Sequence, residues 1–308
     1  MNEPIVLFYH QLVREAKPGR FLFRNSMTLD QFRTTMTWIK DRFHPLGMEE
    51  MAHGWSHGRR WPKRSVAITF DDGFKNSLPA ARILHELKMR ATFFVLSDVV
   101  DSDFLPWNIR FEHIVNQAPP GRIELPGGAV DFSNRSQKRK WLLATKERLL
   151  AMPLEARTDT LDEMASVLGA GPIDTSDPEC QYFSVADLRE LCELGMTVGS
   201  HAATHSDLSR CDDRSLHREL VESRDRLGEW IGGPVDFLSY PDGRFNDTVL
   251  DLASRHYKLA FAAADHLSTD HAWRYPRRNA EPVTTRTLRP WSGFMSTVRR
   301  RSKRLLGI

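Results

Sequence analysis

The sequence predicts an α/β protein built on a parallel sheet, and three observations predict it. The run Val66-Ala67-Ile68-Thr69-Phe70 ends in Asp71-Asp72-Gly73, the pattern of a buried strand that stops at a turn. A helical stretch from Ser77 to Leu87 and a second apolar strand from Ala91 to Leu96 follow. Strand, turn, helix and strand make a βαβ unit, which requires parallel pairing. Later strands repeat the alternation and again end in polar residues. The carboxyl ends of parallel strands are where α/β folds keep their chemistry.

The remaining elements read in order. Ile5 to His10 is a first buried strand, and Leu29 to Phe43 a helix with Phe32, Met36 and Ile39 inward after a Thr28 or Asp30 cap. His53 to Lys63, rich in Gly, His and Trp without periodicity, reads as a surface loop with His53 and His57 solvated. Residues 101–182 break the rhythm. They hold a hairpin from Ile123 to Phe132 turning at Gly127-Gly128, then helices from Gln137 to Leu150 and from Leu154 to Leu168. This stretch reads as an insertion without clustered chemistry, either capping a site or shaping its substrate specificity, or simply elaborating a surface.

A helix from Val185 to Leu194 stops at Gly195. A strand from Met196 to Ser200 then delivers His201-Ala202-Ala203-Thr204-His205. Ser215 to Ile231 is an amphipathic helix with its charges outward. A strand at Phe237 runs into Tyr240-Pro241-Asp242-Gly243, Thr248 to His256 is a helix, Leu259 to Ala263 a strand, and Tyr275 to Asn279 closes the core. Residues 1–289 thus read as one domain, with 101–182 inserted in it. In the tail, 290–308, Trp291, Phe294, Met295, Val298, Leu305 and Leu306 share a face, and Arg299, Arg300, Arg301, Lys303 and Arg304 crowd the rest. Such a helix either packs on the domain or makes peripheral contact with an anionic membrane.

Composition narrows the function classes. The 308 residues are 41% hydrophobic and 27% charged, as in soluble globular proteins. A net charge of +3 gives no argument for nucleic acid as a partner. Cys180, Cys192 and Cys211 form no CxxC pair and read as reduced thiols. The start, Met1-Asn2-Glu3-Pro4, lacks a basic segment and a cleavage site. A cytoplasmic location is expected, at the inner face of the membrane if the tail binds there.

The chemistry gathers at strand ends. Asp71 and Asp72 are neighbours whose side chains diverge on a strand, so they should do different work. His201 and His205 are four apart, the spacing of metal ligands on one face of a helical turn. One Asp and two His make a three-ligand site with room for a water, leaving the other Asp as a base. A strand-end histidine such as His10 is by itself more often structural.

These residues resemble the motifs of the polysaccharide deacetylases of carbohydrate esterase family 4, the NodB homology domain. Thr69-Phe70-Asp71-Asp72-Gly73 looks like the first motif, Ser200-His201-Ala202-Ala203-Thr204-His205 the second, Tyr240-Pro241-Asp242-Gly243 the third and Pro276-Arg277 the arginine motif. The resemblance covers roughly 1–100 and 183–285. It implies a distorted (β/α) barrel of fewer than eight units. Asp72, His201 and His205 would bind one divalent metal, zinc first and cobalt, nickel or manganese next. Asp71 would be the general base, Arg277 would orient it, and the backbone N–H after Pro241 would stabilise the oxyanion.

The sequence departs from the family pattern in three places. Ala202 stands where Ser or Thr is usual, which removes a loop-bracing hydrogen bond. Asp242 stands where Tyr is usual and changes the pocket wall. The late Leu-x-His motif that supplies the general acid is absent. Members with an early Tyr-His strand resemble a rearranged version, and Tyr9-His10 fits it, making His10 the expected acid. The implied reaction is metal-assisted hydrolysis of N-acetyl groups on hexosamine units of a poly- or oligosaccharide, in exopolysaccharide or capsule production. O-deacetylation and a catalytically silent carbohydrate-binding relative are the alternatives. A glycoside hydrolase would need two carboxylates facing across a sugar, which adjacent acids do not offer.

Overall fold

The computed structural model describes residues 3–15, 26–125, 128–264 and 267–280. Gly127 of the expected hairpin turn and the whole tail 290–308, with the membrane contact expected of it, lie outside them. In chain order the first elements are β1 (Ile5–Tyr9), β2 (Gln11–Val13), β3 (Ser26–Thr28), α1 (Leu29–Arg42), β4 (His44–Leu46), α2 (Met48–Ser56), β5 (Ser65–Phe70), α3 (Leu78–Glu86) and β6 (Thr92–Val95). The insertion holds α4 (Trp107–Gln117), β7 (Arg122–Leu125), β8 (Gly128–Asp131), α5 (Arg135–Leu150) and α6 (Leu154–Leu168). Then come α7 (Val185–Glu193), β9 (Thr197–Ser200), α8 (Asp213–His217), α9 (Ser223–Ile231), β10 (Phe237–Ser239), α10 (Asp247–His256), β11 (Leu259–Ala262), β12 (Tyr275–Pro276) and β13 (Arg278–Asn279).

The main sheet is parallel throughout, in the order β12-β11-β10-β9-β6-β5-β1-β13. All six residues of β5 are buried, as expected of a strand covered on both faces. β4 pairs with the first half of β5 and β6 with the second. The sheet curls until its two edges are joined by one short segment. β12 pairs with β11 at one edge, β13 pairs with β1 at the other, and Arg277 alone separates them. This is the distorted (β/α) barrel the motifs imply, nearly closed and wrapped by helices. All strands run the same way, so Tyr9, Phe70, Val95, Ser200 and Ser239 end at one mouth.

The insertion has a core of its own, in which Trp107, Phe111, Leu125, Val130, Leu149 and Leu161 are buried together. Its hairpin, β7 against β8, and its two later helices follow the sequence pattern, with Gly169 left-handed at the end of α6 (φ 65°). Three local differences stand out. The loop expected from His53 starts later, because α2 runs on to Ser56. There Gly54 leaves room for the Trp61 indole, whose Nε1 donates to the Met51 carbonyl. The helix expected from Ser215 to Ile231 contains a wider π-helical turn at Arg218–Glu222. The helix α4 has no counterpart in the sequence reading. No helix among the described residues is long and apolar enough to cross a membrane.

The interior tolerates little added volume. At Gly199 a Cβ would lie 2.6 Å from the Phe94 ring and 3.1 Å from the Phe237 carbonyl, and Phe94 is itself fully buried. Gly199→Ala is expected to destabilise the fold by about 1–3 kcal/mol, read as a lower urea midpoint at unchanged slope.

Candidate active site

The barrel mouth opens into a cavity of about 230 Å³ lined by His10, Asp71, Asp72, His201, His205, Tyr240 and Asp242, among others. The ends of β1, β5, β9 and β10 all contribute to it. Asp71 still belongs to the ladder, its N–H bonded to the Tyr9 carbonyl at 2.9 Å. Asp72 then adopts a left-handed conformation (φ 72°) and Gly73 another (φ 80°). The two carboxylates therefore diverge through a reversal of the backbone rather than through strand alternation alone.

Asp72 faces the two histidines. Its Oδ1 is 3.4 Å from His201 Nε2 and 3.6 Å from His205 Nε2. The three ligand atoms lie within 4.8 Å of one another and all three residues are buried. Asp72 Oδ1 accepts no well-formed hydrogen bond among the described residues. His201 Nδ1 is 2.7 Å from the Ser239 carbonyl, so it carries the proton and leaves the Nε2 lone pair for the centre. A buried carboxylate oxygen without a donor, facing the Nε2 atoms of two buried imidazoles, fits a divalent cation of the zinc type. Burial pushes the His205 imidazole below its ordinary pKa. For His201 burial acts the same way, but Asp71 and Asp72 outweigh it and hold the group above its usual value. Negative charge that attracts a proton there attracts a metal ion equally.

Asp71 turns to the other side. Arg277 grips it with two hydrogen bonds, Nη1 to Oδ1 at 2.7 Å and Nη2 to Oδ2 at 2.6 Å. The same guanidinium donates to Thr69 Oγ1 at 3.0 Å and Ser239 Oγ at 2.6 Å, and sits between the Phe8 and Phe94 rings. Burial alone would push the Asp71 carboxyl up, but Arg277 and the nearby histidines His201 and His10 hold it below the ordinary carboxylate range. It is an ionised, immobile acceptor beside the cluster. His10 lines the same cavity, its ring edge-on to Phe8 at 5.6 Å.

The histidine loop is not the helical turn expected from the spacing. It follows β9 as an irregular segment in which Ala202 (φ 68°) and His205 (φ 63°) are left-handed, conformations that non-glycine residues hold only when their surroundings over-determine them. Two residues outside the motifs supply the bracing. Glu219 accepts from the backbone N–H groups of Ala203 and Thr204 at 2.8 and 3.0 Å, and from the Thr204 hydroxyl. It braces the loop at Ala203 and Thr204, next to Ala202, whose side chain offers no hydrogen bond. The sequence shows Glu219 as one more charge on an outward face, yet it is buried, carried by the π-helical turn, a feature that recurs at functional sites. Trp107, at the start of α4, donates its Nε1–H to the His205 carbonyl at 2.9 Å.

The third motif forms a tight turn. Pro241 and Asp242 follow Tyr240, and Asp242 is left-handed (φ 53°). The Tyr240 hydroxyl is bonded to the Trp273 carbonyl at 2.7 Å, so this side chain supports the wall rather than presenting a hydroxyl. Asp242 pairs with Lys146 of α5 at 2.6 Å. Lys146, Asn108 and Glu112 all line the cavity, so the insertion reaches the site. Elsewhere, His53 and His57 lie exposed on α2 and at its end, and the three cysteines are free thiols, Cys211 being pushed up to about 12 by burial and by Glu219 and Asp207.

Comparison with known proteins agrees with this geometry. The family model for polysaccharide deacetylases matches residues 58–259. No curated protein sequence matches the chain. Among solved structures, the deacetylase PplD of Streptococcus pyogenes, in complex with acetate, superposes with a TM-score of 0.62 at 18% identity, covering 93% of this chain and 96% of that one. IcaB from Ammonifex degensii gives 0.58 at 14% identity, covering 94% and 97%. A de-N-acetylase from Aggregatibacter actinomycetemcomitans gives 0.57 at 15%, covering 92% and 98%. At these identities the likeness is one of fold.

Glu219 offers a test of the bracing. Glu219→Ala leaves two backbone N–H groups buried without an acceptor and is expected to lower unfolding free energy by about 2–3 kcal/mol. Glu219→Gln, which keeps one acceptor oxygen, should recover most of that loss in the same urea titration.

Proposed function

The chain belongs to the polysaccharide deacetylase family, and we propose that it removes N-acetyl groups from hexosamine units of a poly- or oligosaccharide and releases acetate. The observation that carries the reading is the pairing of two adjacent acids with opposite partners. Asp72 faces two histidines, while Asp71 is held ionised by a buried arginine. Hydrolysis of an amide needs both an electrophilic centre and a base beside it.

Asp72, His201 and His205 would hold a divalent ion, most simply zinc, which would supply a Lewis acid beside the acetyl carbonyl. The protein does the rest. Asp71 accepts the proton of the attacking water, and Arg277 fixes its orientation and keeps it ionised. The backbone N–H of Asp242 donates to the carbonyl oxygen as negative charge develops there. His10 protonates the departing nitrogen. An amine leaves poorly unless protonated, so an acid on that side is a chemical requirement. The alcohol of an O-acetyl ester leaves more easily, which distinguishes the two substrate classes by their dependence on His10.

Acetate release from N-acetylglucosamine oligomers and O-acetylated sugars, with zinc-reconstituted protein, checks the reading. Asp71→Asn is expected to retain the metal and to lose roughly 10²–10⁴-fold in kcat. His10→Ala should lose a similar factor on the amide and much less on the ester. Release that survives Asp71→Asn unchanged would remove that residue as the base, and release from esters alone would make the protein an O-deacetylase.

A further inference from the structure

We propose that Trp107 is a positioning residue for the metal centre, through which the insertion holds the second metal histidine in place. The proposal rests on reading Asp72, His201 and His205 as metal ligands. Trp107 belongs to two structures at once. Its ring is buried in the insertion's own core beside Phe111 and Leu161. Its Nε1–H reaches out of that core to the carbonyl oxygen of His205 at 2.9 Å. The Arg157 guanidinium of α6 lies over the ring at 5.2 Å, and Arg157 is in turn bonded to the Met152 carbonyl at 2.9 Å. The indole therefore has little freedom to rotate away.

His205 needs such a hold. It is left-handed and its side chain is buried. Its Nδ1 has no hydrogen-bond partner among the described residues, in contrast to His201, whose Nδ1 is anchored on Ser239. One metal histidine is oriented through its ring, the other through its backbone. A ligand oriented only by its peptide loses its aim when that peptide rotates, and the Trp107 bond opposes that rotation at the carbonyl. Outer contacts of this kind tune metal affinity as well as fold. Two more contacts from the insertion meet the neighbouring turn, Lys146 on Asp242 and Glu147 on Arg244, each at 2.6 Å, so the docking face of the insertion is the rim of the metal centre.

The test uses the full chain and zinc or cobalt alone. Trp107→Phe keeps a ring in the insertion core and removes only the N–H. Leu161→Ala, in the same core but away from His205, controls for lost stability. Zinc affinity by chelator competition should fall about tenfold in Trp107→Phe, and the visible absorption of its cobalt form should differ from wild type, while Leu161→Ala lowers the melting temperature and leaves both metal readouts unchanged. The proposal is overturned if Trp107→Phe matches wild type in affinity and spectrum, or if Leu161→Ala, measured well below its melting temperature, shows the same loss. Wild-type protein that binds neither metal would instead overturn the metal reading itself, and the proposal with it.

Discussion

The structure turns on a single buried ion pair, Arg277 with Asp71. Desolvating two charges is expensive, and removing one partner of such a pair typically destabilises a protein by about 3–5 kcal/mol. Here the expense is met by geometry. The guanidinium makes four hydrogen bonds and has an aromatic ring on each side. Arg277 is also the residue between β12 and β13, where the two edges of the sheet meet. One side chain thus serves the closure of the barrel and the ionisation of Asp71.

The barrel and the insertion divide the site between them. Strand ends deliver the acids, the histidines and the arginine, as parallel topology requires. The insertion adds a wall of Asn108, Glu112 and Lys146 and a hydrogen bond to the histidine loop. Backbone strain is concentrated at their junction. Asp72, Ala202, His205 and Asp242 are all left-handed without being glycine, a conformation that costs of the order of 1–3 kcal/mol where it is not over-determined. Glu219 and Trp107 are what over-determine the histidine loop.

Much of this was legible in the sequence, for a physical reason. Strand-to-acid and strand-to-histidine junctions are local patterns, and a parallel sheet brings such junctions together whatever the loops do. Asp71, Asp72, His201, His205 and Arg277 all meet where that logic sends them. What escaped was non-local or disguised. Trp107–Gln117 has apolar residues at helical spacing, but it starts at Pro106 with no side-chain cap, within a stretch read as irregular. Glu219 reads as one of the helix's outward charges because it is charged, yet it stands three residues after Leu216 and four before Ser223 on the buried face, within the π-helical turn. The two histidines, four apart, suggested a helix, whereas left-handed residues give a loop the same reach.

The seam at Arg277 bears on the order in which the chain becomes an enzyme. Leu7 pairs with Arg278 across nearly the whole domain, and Asp71 waits for a partner 206 residues away. Contacts of such separation carry the largest loop-closure entropy and form slowly. The three candidate metal ligands, by contrast, are complete once synthesis has passed His205. A nascent or truncated chain therefore possesses the three candidate ligands before it possesses the arginine that grips Asp71.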